Sequence, residues 1–263
     1  MIENIIDLQR YPLDRLSCEA GRKLLKQCQQ DLDQTGLFNL EGFLLPDAIK
    51  QAVDNSADQL ANHAFTHQRR HNIYFLREVA DLSPEHPALK SFETINHTVC
   101  SDQIPDNVLV ELYEWAPFAA FLAEVMEIIE LHEMDDVLSR LNVMGYSDGE
   151  ALNWHFDRSE FTTTLLLQAS DKGGEFQYRT GLRTDTDANY DGIAEFLAGD
   201  QSEVTTVPLK AGTLNVFRGK NTLHRVSPVV GDKGRVISVF SYYEKPGVKF
   251  SAEEQIGFYG RSL

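Results

Sequence analysis

The chain has 263 residues, and its 40 acidic side chains outnumber 24 basic ones, for a formal charge of −16. That sign repels polyphosphate backbones and anionic bilayers, which argues against nucleic-acid or membrane-surface binding; the 42% hydrophobic and 24% charged fractions are those of a globular chain able to bury its own core. Cys18, Cys28 and Cys100 form neither a disulfide framework nor a metal-ligand pair, no secretory leader or run of about 18 apolar residues is visible, and a reducing, cytoplasmic setting is the expectation.

In chain order, residues 14–34 place Leu16, Leu24, Leu25, Cys28 and Leu32 at roughly helical spacing and predict a first helix. Phe38, Leu40, Phe43 and Leu44 predict a short strand. Pro46 and Asp47 open a second helix, because proline suits a first turn whose N–H groups have no intrahelical acceptor. Residues 80–107, with Pro84, Pro87 and Pro105, predict irregular structure with a short helix, and 108–134 predict a further helix with a break at Pro117. Near residue 139 the pattern changes. Short β-like runs at 139–146, 151–157, 160–168, 174–181, 202–209, 212–217, 222–229 and 235–244 alternate with glycine-bearing turns. Such a series predicts an antiparallel sandwich or barrel, such as a double-stranded β-helix. The acidic stretch 182–202 predicts an insertion with a small helix around Ile193 to Leu197, either a lid over the site or a plain surface loop. The expected fold class is α+β with a mainly β core: a cupin-like jelly roll buttressed by N-terminal helices. One domain spans 1–263, with a mostly helical part at 1–138, the jelly-roll core at 139–248 and a tail at 249–263.

Within Asn153-Trp154-His155-Phe156-Asp157, strand alternation puts His155 and Asp157 on one face and Trp154 and Phe156 on the other. His224 lies in a later strand-like run, Thr222 to Val226. Two imidazoles and one carboxylate on one side of an ion make the facial triad of non-haem Fe(II) oxygenases, which keeps positions open for a co-substrate and O2. His-x-Asp is common by chance, and alone it also fits a hydrogen-bonded pair in a β core. Arg235 adds context. It follows a Gly-Asp-Lys-Gly turn at the start of the last strand, where a planar guanidinium can grip a distal carboxylate through two parallel bonds. A surface ion pair is its plainer role.

Segment 211–242, AGTLNVFRGKNTLHRVSPVVGDKGRVISVFSY, resembles the C-terminal signature of Fe(II)/2-oxoglutarate-dependent dioxygenases. YSDGEALNWHFD at 146–157, GGEFQY at 173–178 and TGLFNLEGFLLPDAI at 35–49 resemble other parts of that family. The resemblance implies that His155, Asp157 and His224 bind Fe(II), that Arg235 pairs with the C5 carboxylate of 2-oxoglutarate, and that Asn142, Tyr146 and Thr164 line the co-substrate pocket. Leu152 departs from the prolyl-hydroxylase-like pattern, in which some members carry Tyr three residues before the first metal histidine. The pattern W-H-F-x-x-x-E-F ahead of a Leu-rich strand resembles the bacterial free-amino-acid hydroxylases and radical halogenases. Halogenases of this kind have Gly or Ala where Asp157 stands, leaving an iron position for chloride, so Asp157 implies hydroxylation. The implied reaction uses O2, releases succinate and CO2, and hydroxylates an aliphatic carbon of a small molecule, such as a free amino acid or derivative. The same chemistry on a protein side chain, and a non-catalytic metal-binding sensor, are the alternatives. A zinc hydrolase would use the triad but leaves Arg235 without a role.

Arg158 directly follows Asp157. It points away from the metal face unless the strand ends there, in which case it can meet an anionic group of the substrate. His63, His67 and His71 stand at i, i+4 and i+8, one stripe of a helix, and read as a solvated face or a second metal site. The next residues, Arg69, Arg70, Tyr74 and Arg77, are basic for so acidic a chain. They are candidate substrate contacts, with plain solvated charge as the alternative. Phe176, Tyr178, Phe217, Phe240 and Tyr242 are expected in the core.

Overall fold

The computed structural model describes every residue except Asp81. Its helices are α1 (Glu19–Thr35), α2 (Pro46–Asn62), α3 (Val108–Tyr113), α4 (Ala116–Met126), α5 (Tyr190–Ala198) and α6 (Ala252–Tyr259). Its main strands are β1 (Leu37–Leu40), β2 (Phe65–His71), β3 (Phe92–Cys100), β4 (Leu141–Tyr146), β5 (Leu152–His155), β6 (Thr162–Gln168), β7 (Phe176–Arg179), β8 (Thr205–Val207), β9 (Leu214–Phe217), β10 (Leu223–Val226) and β11 (Arg235–Phe240). Seven strands form one sheet in the order β1-β9-β6-β11-β4-β3-β2, and four form a second, β8-β7-β10-β5. All pairings are antiparallel. The two sheets enclose a cavity, giving the jelly-roll α+β architecture expected from the sequence.

Alternation along three central strands builds both sides of the larger sheet. On β4, Leu141 and Val143 enter the main core while Asn142, Met144 and Tyr146 line the cavity. On β6, Leu165 and Leu167 go to the core and Thr162 and Thr164 to the cavity; on β11, Val236 and Phe240 go to the core and Arg235, Ile237 and Val239 to the cavity. Helices α1 to α4 cover the core side. Phe38, Phe43, Phe118, Phe121 and Leu122 are buried there, each contributing roughly 1.5–3 kcal/mol. Gly36 ends α1 in the left-handed region at φ 78°, and its N–H donates to the Leu32 carbonyl. Pro46 opens α2.

Several elements differ from expectation. Residues 65–71 form a strand, not a helix, so His67 and His71 share a sheet face and His63 sits past the end of α2. Spacings of four fit both periods, and the true signal is the two-residue alternation of Phe65, His67, Arg69 and His71 against exposed Thr66, Gln68 and Arg70. The stretch 80–107, expected to be irregular, contains β3, whose prolines fall outside the strand. The helix expected over 108–134 divides at Trp115, and Pro117 starts α4 instead of breaking it. The insertion 182–202 does not cover the cavity. Ile193 and Phe196 of α5 pack on Trp154 and Phe156 behind the smaller sheet. The C-terminal tail carries α6, which does reach the cavity.

Candidate active site

Strands β5 and β10 are neighbours, and their register sets His155 directly opposite His224. The two ring centroids are 4.2 Å apart. Asp157 lies two residues beyond His155, just past the end of β5, where its N–H donates to the Gly219 carbonyl at 3.0 Å. Its Oδ1 is 3.3 Å from His155 Nε2, and its Oδ2 is 3.4 Å from His224 Nε2. Ligand atoms bound about 2.1 Å from one ion and at right angles to each other stand about 3 Å apart, so these separations suit a shared ion. Among the described residues this is the one His/Cys/Asp/Glu group with donor atoms mutually within 4.8 Å.

The surroundings orient each ligand. His155 Nδ1 donates to the Asn153 carbonyl at 2.7 Å and His224 Nδ1 to the Thr222 carbonyl at 2.9 Å. Both bonds leave an Nε2 lone pair facing Asp157. Thr162 Oγ1 donates to Asp157 Oδ2 at 2.5 Å. Gly219 is required here, because a Cβ would collide with Asp157 Oδ2 and Thr162 Oγ1. Burial pushes the Asp157 carboxyl up, but the influence of His224 and His155 beside it outweighs that and holds the group well below the usual carboxylate range. Burial, then His224, lowers His155, favouring the neutral imidazole that ligates metal. Two imidazole nitrogens and an anionic carboxylate, oriented from one side, fit Fe(II).

Arg235 opens β11 opposite Tyr146 of β4. It is 2% exposed, and its Nε and Nη2 are buried without a hydrogen-bond partner. Burial lowers its pKa to about 10, so it remains a cation at neutral pH. A buried guanidinium without an anion is costly, and its free donors are available to one. Tyr146, whose phenol burial raises to about 12, lines the same space.

The cavity measures about 740 Å3 and joins both sheets. Asn142, Thr164 and Val239 form a row across β4, β11 and β6. Asn142 donates to the Leu138 carbonyl and accepts from Tyr259, while Thr164 donates to the Asn215 carbonyl at 3.3 Å. Leu152 also lines the cavity, as a bare apolar wall. Arg158 and exposed Arg77 are at the mouth, where Arg158 is bound to Glu254 at 3.0 Å. Tyr74 is not brought to the cavity. It is buried on the far side of β5 against Phe156 and Tyr190, with its hydroxyl donating to the Ala188 carbonyl. The strand ends at His71, and the Asn72 side-chain carbonyl, accepting from the Tyr74 and Leu76 N–H groups, holds a turn that leaves Ile73 and Tyr74 in the apolar cluster away from the cavity.

Sequence reasoning missed Phe75, Phe258 and Tyr259. Phe75 adopts φ 55° and sits edge-on to His155, with centroids 5.6 Å apart. Phe258 and Tyr259 come from α6, whose start carries a legible signal: Ser251 and Glu254 form a reciprocal capping box. Phe176 and Phe217, expected in the core, are buried and also pack on His224. No described helix is long and apolar enough to cross a membrane.

A protein-family model described as Halogenase D matches residues 20–255. A comparison with curated proteins gave no match. Among solved structures, the chain is similar to the non-heme alpha ketoglutarate dependent epimerase SnoN from nogalamycin biosynthesis, with 14% identity, a TM-score of 0.57, and coverage of 84% of this chain and 81% of that one. Another SnoN structure holds Fe3+, alpha ketoglutarate and nogalamycin RO. A 2OG-Fe(II) oxygenase family oxidoreductase from Burkholderia pseudomallei is 15% identical, with a TM-score of 0.52 over 85% of this chain and 92% of that one. A prolyl hydroxylase from Trichoplax adhaerens, in complex with a hypoxia inducible factor peptide fragment, is 12% identical, with a TM-score of 0.53 over 88% and 96%. The fold is therefore that of the 2OG-Fe(II) oxygenases.

Proposed function

The chain belongs to the Halogenase D family, and from that premise we propose an Fe(II)- and 2-oxoglutarate-dependent oxygenase that hydroxylates an aliphatic carbon of a small molecule. One observation carries the reading: a facially arranged His155, Asp157 and His224 share a cavity with Arg235, a buried cation lacking an anion. His155, Asp157 and His224 would hold Fe(II), and Arg235 would take the distal carboxylate of 2-oxoglutarate beside Tyr146, Asn142 and Thr164. When bound, the iron and 2-oxoglutarate supply the oxidising power to use O2 on an unactivated C–H bond, with release of succinate and CO2. The chain's own part is orientation and exclusion of water. The Nδ1 bonds of both histidines fix their ring planes, Thr162 fixes Asp157, and Phe75, Phe176 and Phe217 wall the metal side with apolar surface.

Asp157 supports one outcome over the other within a family so described. Its carboxylate fills the position a halide would need, which favours hydroxylation. The cavity volume lies inside the range of about 300–1,000 Å3 for small-molecule sites, which favours a small substrate over a protein side chain, and α6 and the turn at 72–77 contribute to its lining. Cys18, Cys28 and Cys100 are free thiols, in keeping with a cytoplasmic setting.

Anaerobic addition of Fe(II) and 2-oxoglutarate is expected to give the weak visible charge-transfer absorption of their chelate, and Asp157→Ala is expected to lose it. Succinate released on admitting O2, and increased by substrate, supports the enzyme. A wild-type protein that binds Fe(II) without the absorption, or binds ligands without ever releasing succinate, overturns the reading in favour of a sensor.

A further inference from the structure

The strand that carries His155 is loosely held by its own sheet. β5 is an edge of the smaller sheet, where only its β10 side is paired. Even there the ladder pairs His155 with His224 and Leu152 with Val226 but shifts register in between, at the level of Asn153. The other side of β5 faces β3 and the segment after β2, and three of its backbone groups find partners there. The Ala151 carbonyl accepts from the Ile95 N–H at 3.2 Å, and the Phe156 N–H donates to the Ile73 carbonyl at 3.0 Å. The third group, the Asn153 N–H, donates instead to a side chain, the Thr94 hydroxyl, at 3.1 Å.

Thr94 is fully buried, and its hydroxyl has a second partner, His71 Nε2, at 2.7 Å. His71 Nδ1 lies 2.9 Å from the Asn72 carbonyl, which only accepts, so Nδ1 carries the ring hydrogen. Burial, which lowers the His71 pKa to about 4, keeps the ring neutral at pH 7. Nε2 is therefore a bare lone pair. The Thr94 O–H donates to it, and a lone pair of the hydroxyl is left for the Asn153 N–H. Both ring nitrogens are taken up by the protein, so His71 is not the second metal ligand that the spacing of His63, His67 and His71 allowed. The Asn153 carbonyl accepts in turn from His155 Nδ1 at 2.7 Å. A line of hydrogen bonds thus runs from His71 through Thr94 and Asn153 to His155. His224 has no share in it, because its Nδ1 donates to the Thr222 carbonyl.

We propose that Thr94 and His71 are positioning residues for His155: the Thr94 hydroxyl, aimed by His71, pins the Asn153 backbone and with it the carbonyl that sets the His155 ring plane. This rests on the metal site of the oxygenase reading above and adds to it the groups that steady a ligand borne by an edge strand. Without the hydroxyl, the Asn153 N–H loses its acceptor and β5 loses one of its three ties to β3 and the segment after β2. The Asn153 side chain, whose Nδ2 donates to the Glu93 carbonyl, holds the residue from one direction only. The imidazole then has a wider range of orientations, and a metal ion gains less from it.

The test compares metal binding by variants of the full chain, with no turnover involved. Thr94→Val keeps the side-chain shape without the hydroxyl and is expected to weaken Fe(II) binding about 10–100-fold in anaerobic titration, the usual penalty for losing a group that orients a ligand. Thr94→Ser retains the hydroxyl and is expected to restore most of that affinity. His71→Leu removes the acceptor that aims the hydroxyl and is expected to weaken binding in the same direction. NMR of isotope-labelled histidines, with Zn(II) as a diamagnetic probe, reads the two Nδ1–H groups separately. In Thr94→Val the His155 signal is expected to shift and to exchange faster with water, while the His224 signal stays as in wild type. General damage to the fold would move both. Circular dichroism reports folding, and if Thr94→Val does not fold, His71→Leu and Thr94→Ser carry the test. Undiminished affinity in Thr94→Val or His71→Leu overturns the inference, as does a Thr94→Ser variant that fails to bind, or equal changes at the two histidines. Failure of the oxygenase reading shows separately, as wild-type protein that binds Fe(II) but forms no chelate absorption with 2-oxoglutarate.

Discussion

At the scale of single residues, the proposed metal ligands depend on neighbours outside the triad. Gly219 lets a loop carbonyl approach the Asp157 N–H while its missing side chain leaves room for Oδ2 and the Thr162 hydroxyl. Gly219→Ala is expected to displace Asp157 and weaken Fe(II) binding by about 10–100-fold, the usual penalty for disturbing groups that orient a ligand. Anaerobic Fe(II) titration measures this, with circular dichroism to check the fold. Arg235→Gln would remove the protein's half of the charge pair proposed with bound 2-oxoglutarate, which costs about 2–5 kcal/mol. At 1.4 kcal/mol per decade this is a rise of roughly 30-fold or more in the 2-oxoglutarate KM. The triad and Arg235 were legible in the sequence because strand alternation and flanking motifs constrain them. The role of Gly219 was not legible. It arises where a loop after β9 meets the end of β5, a long-range encounter that leaves no local pattern.

At the scale of elements, α6 changes most in significance between sequence and structure. It brings Phe258 over Arg69 and Arg158, and Tyr259 against Asn142. Arg261 then ties the chain to Asp102 through two bonds, of 2.7 and 2.8 Å. Deleting residues 252–263 is expected to remove about 3 kcal/mol or more of stability, as loss of a buried aromatic such as Tyr259 does, and to raise the substrate KM by opening the mouth. Urea unfolding and steady-state kinetics measure the two effects. The capping box announced a helix there, but nothing local says that a terminal helix folds back over a cavity. The eight core strands were readable as short apolar runs between turn signals, and three of them alternate between core and cavity. β2 was misread because His63, His67 and His71 fit a helical repeat, while burial of every second residue decides for a strand.

At the scale of the whole molecule, folding keeps a cationic patch largely dehydrated in an acidic protein, and this couples stability to pH. His67 is held neutral, first by burial and then by Arg69 and His71, with its pKa lowered from 6.5 to about 4. Above pH 6.5 neither folded nor unfolded chain protonates it, so its stabilising effect is complete. As pH falls from 6.5 toward 4, the unfolded chain gains a proton the folded one refuses, and stability drops. The pH dependence of the urea midpoint across that window is expected to be shallower in His67→Gln than in wild type. An equal slope in the two would rule out this coupling.

The larger sheet carries Arg235 and the smaller sheet carries both histidines. Two rigid plates thus work as the jaws of a gauge, with the guanidinium on one jaw and the ion-binding group on the other. In the proposed loaded site a keto diacid of the right length would touch both at once. One carbon shorter, it reaches only one jaw; one carbon longer, it must buckle. Oxaloacetate and 2-oxoadipate are therefore expected to support less than a tenth of the turnover seen with 2-oxoglutarate at equal concentration. Relieving that discrimination would take a change in the spacing of the plates, which no single side chain controls.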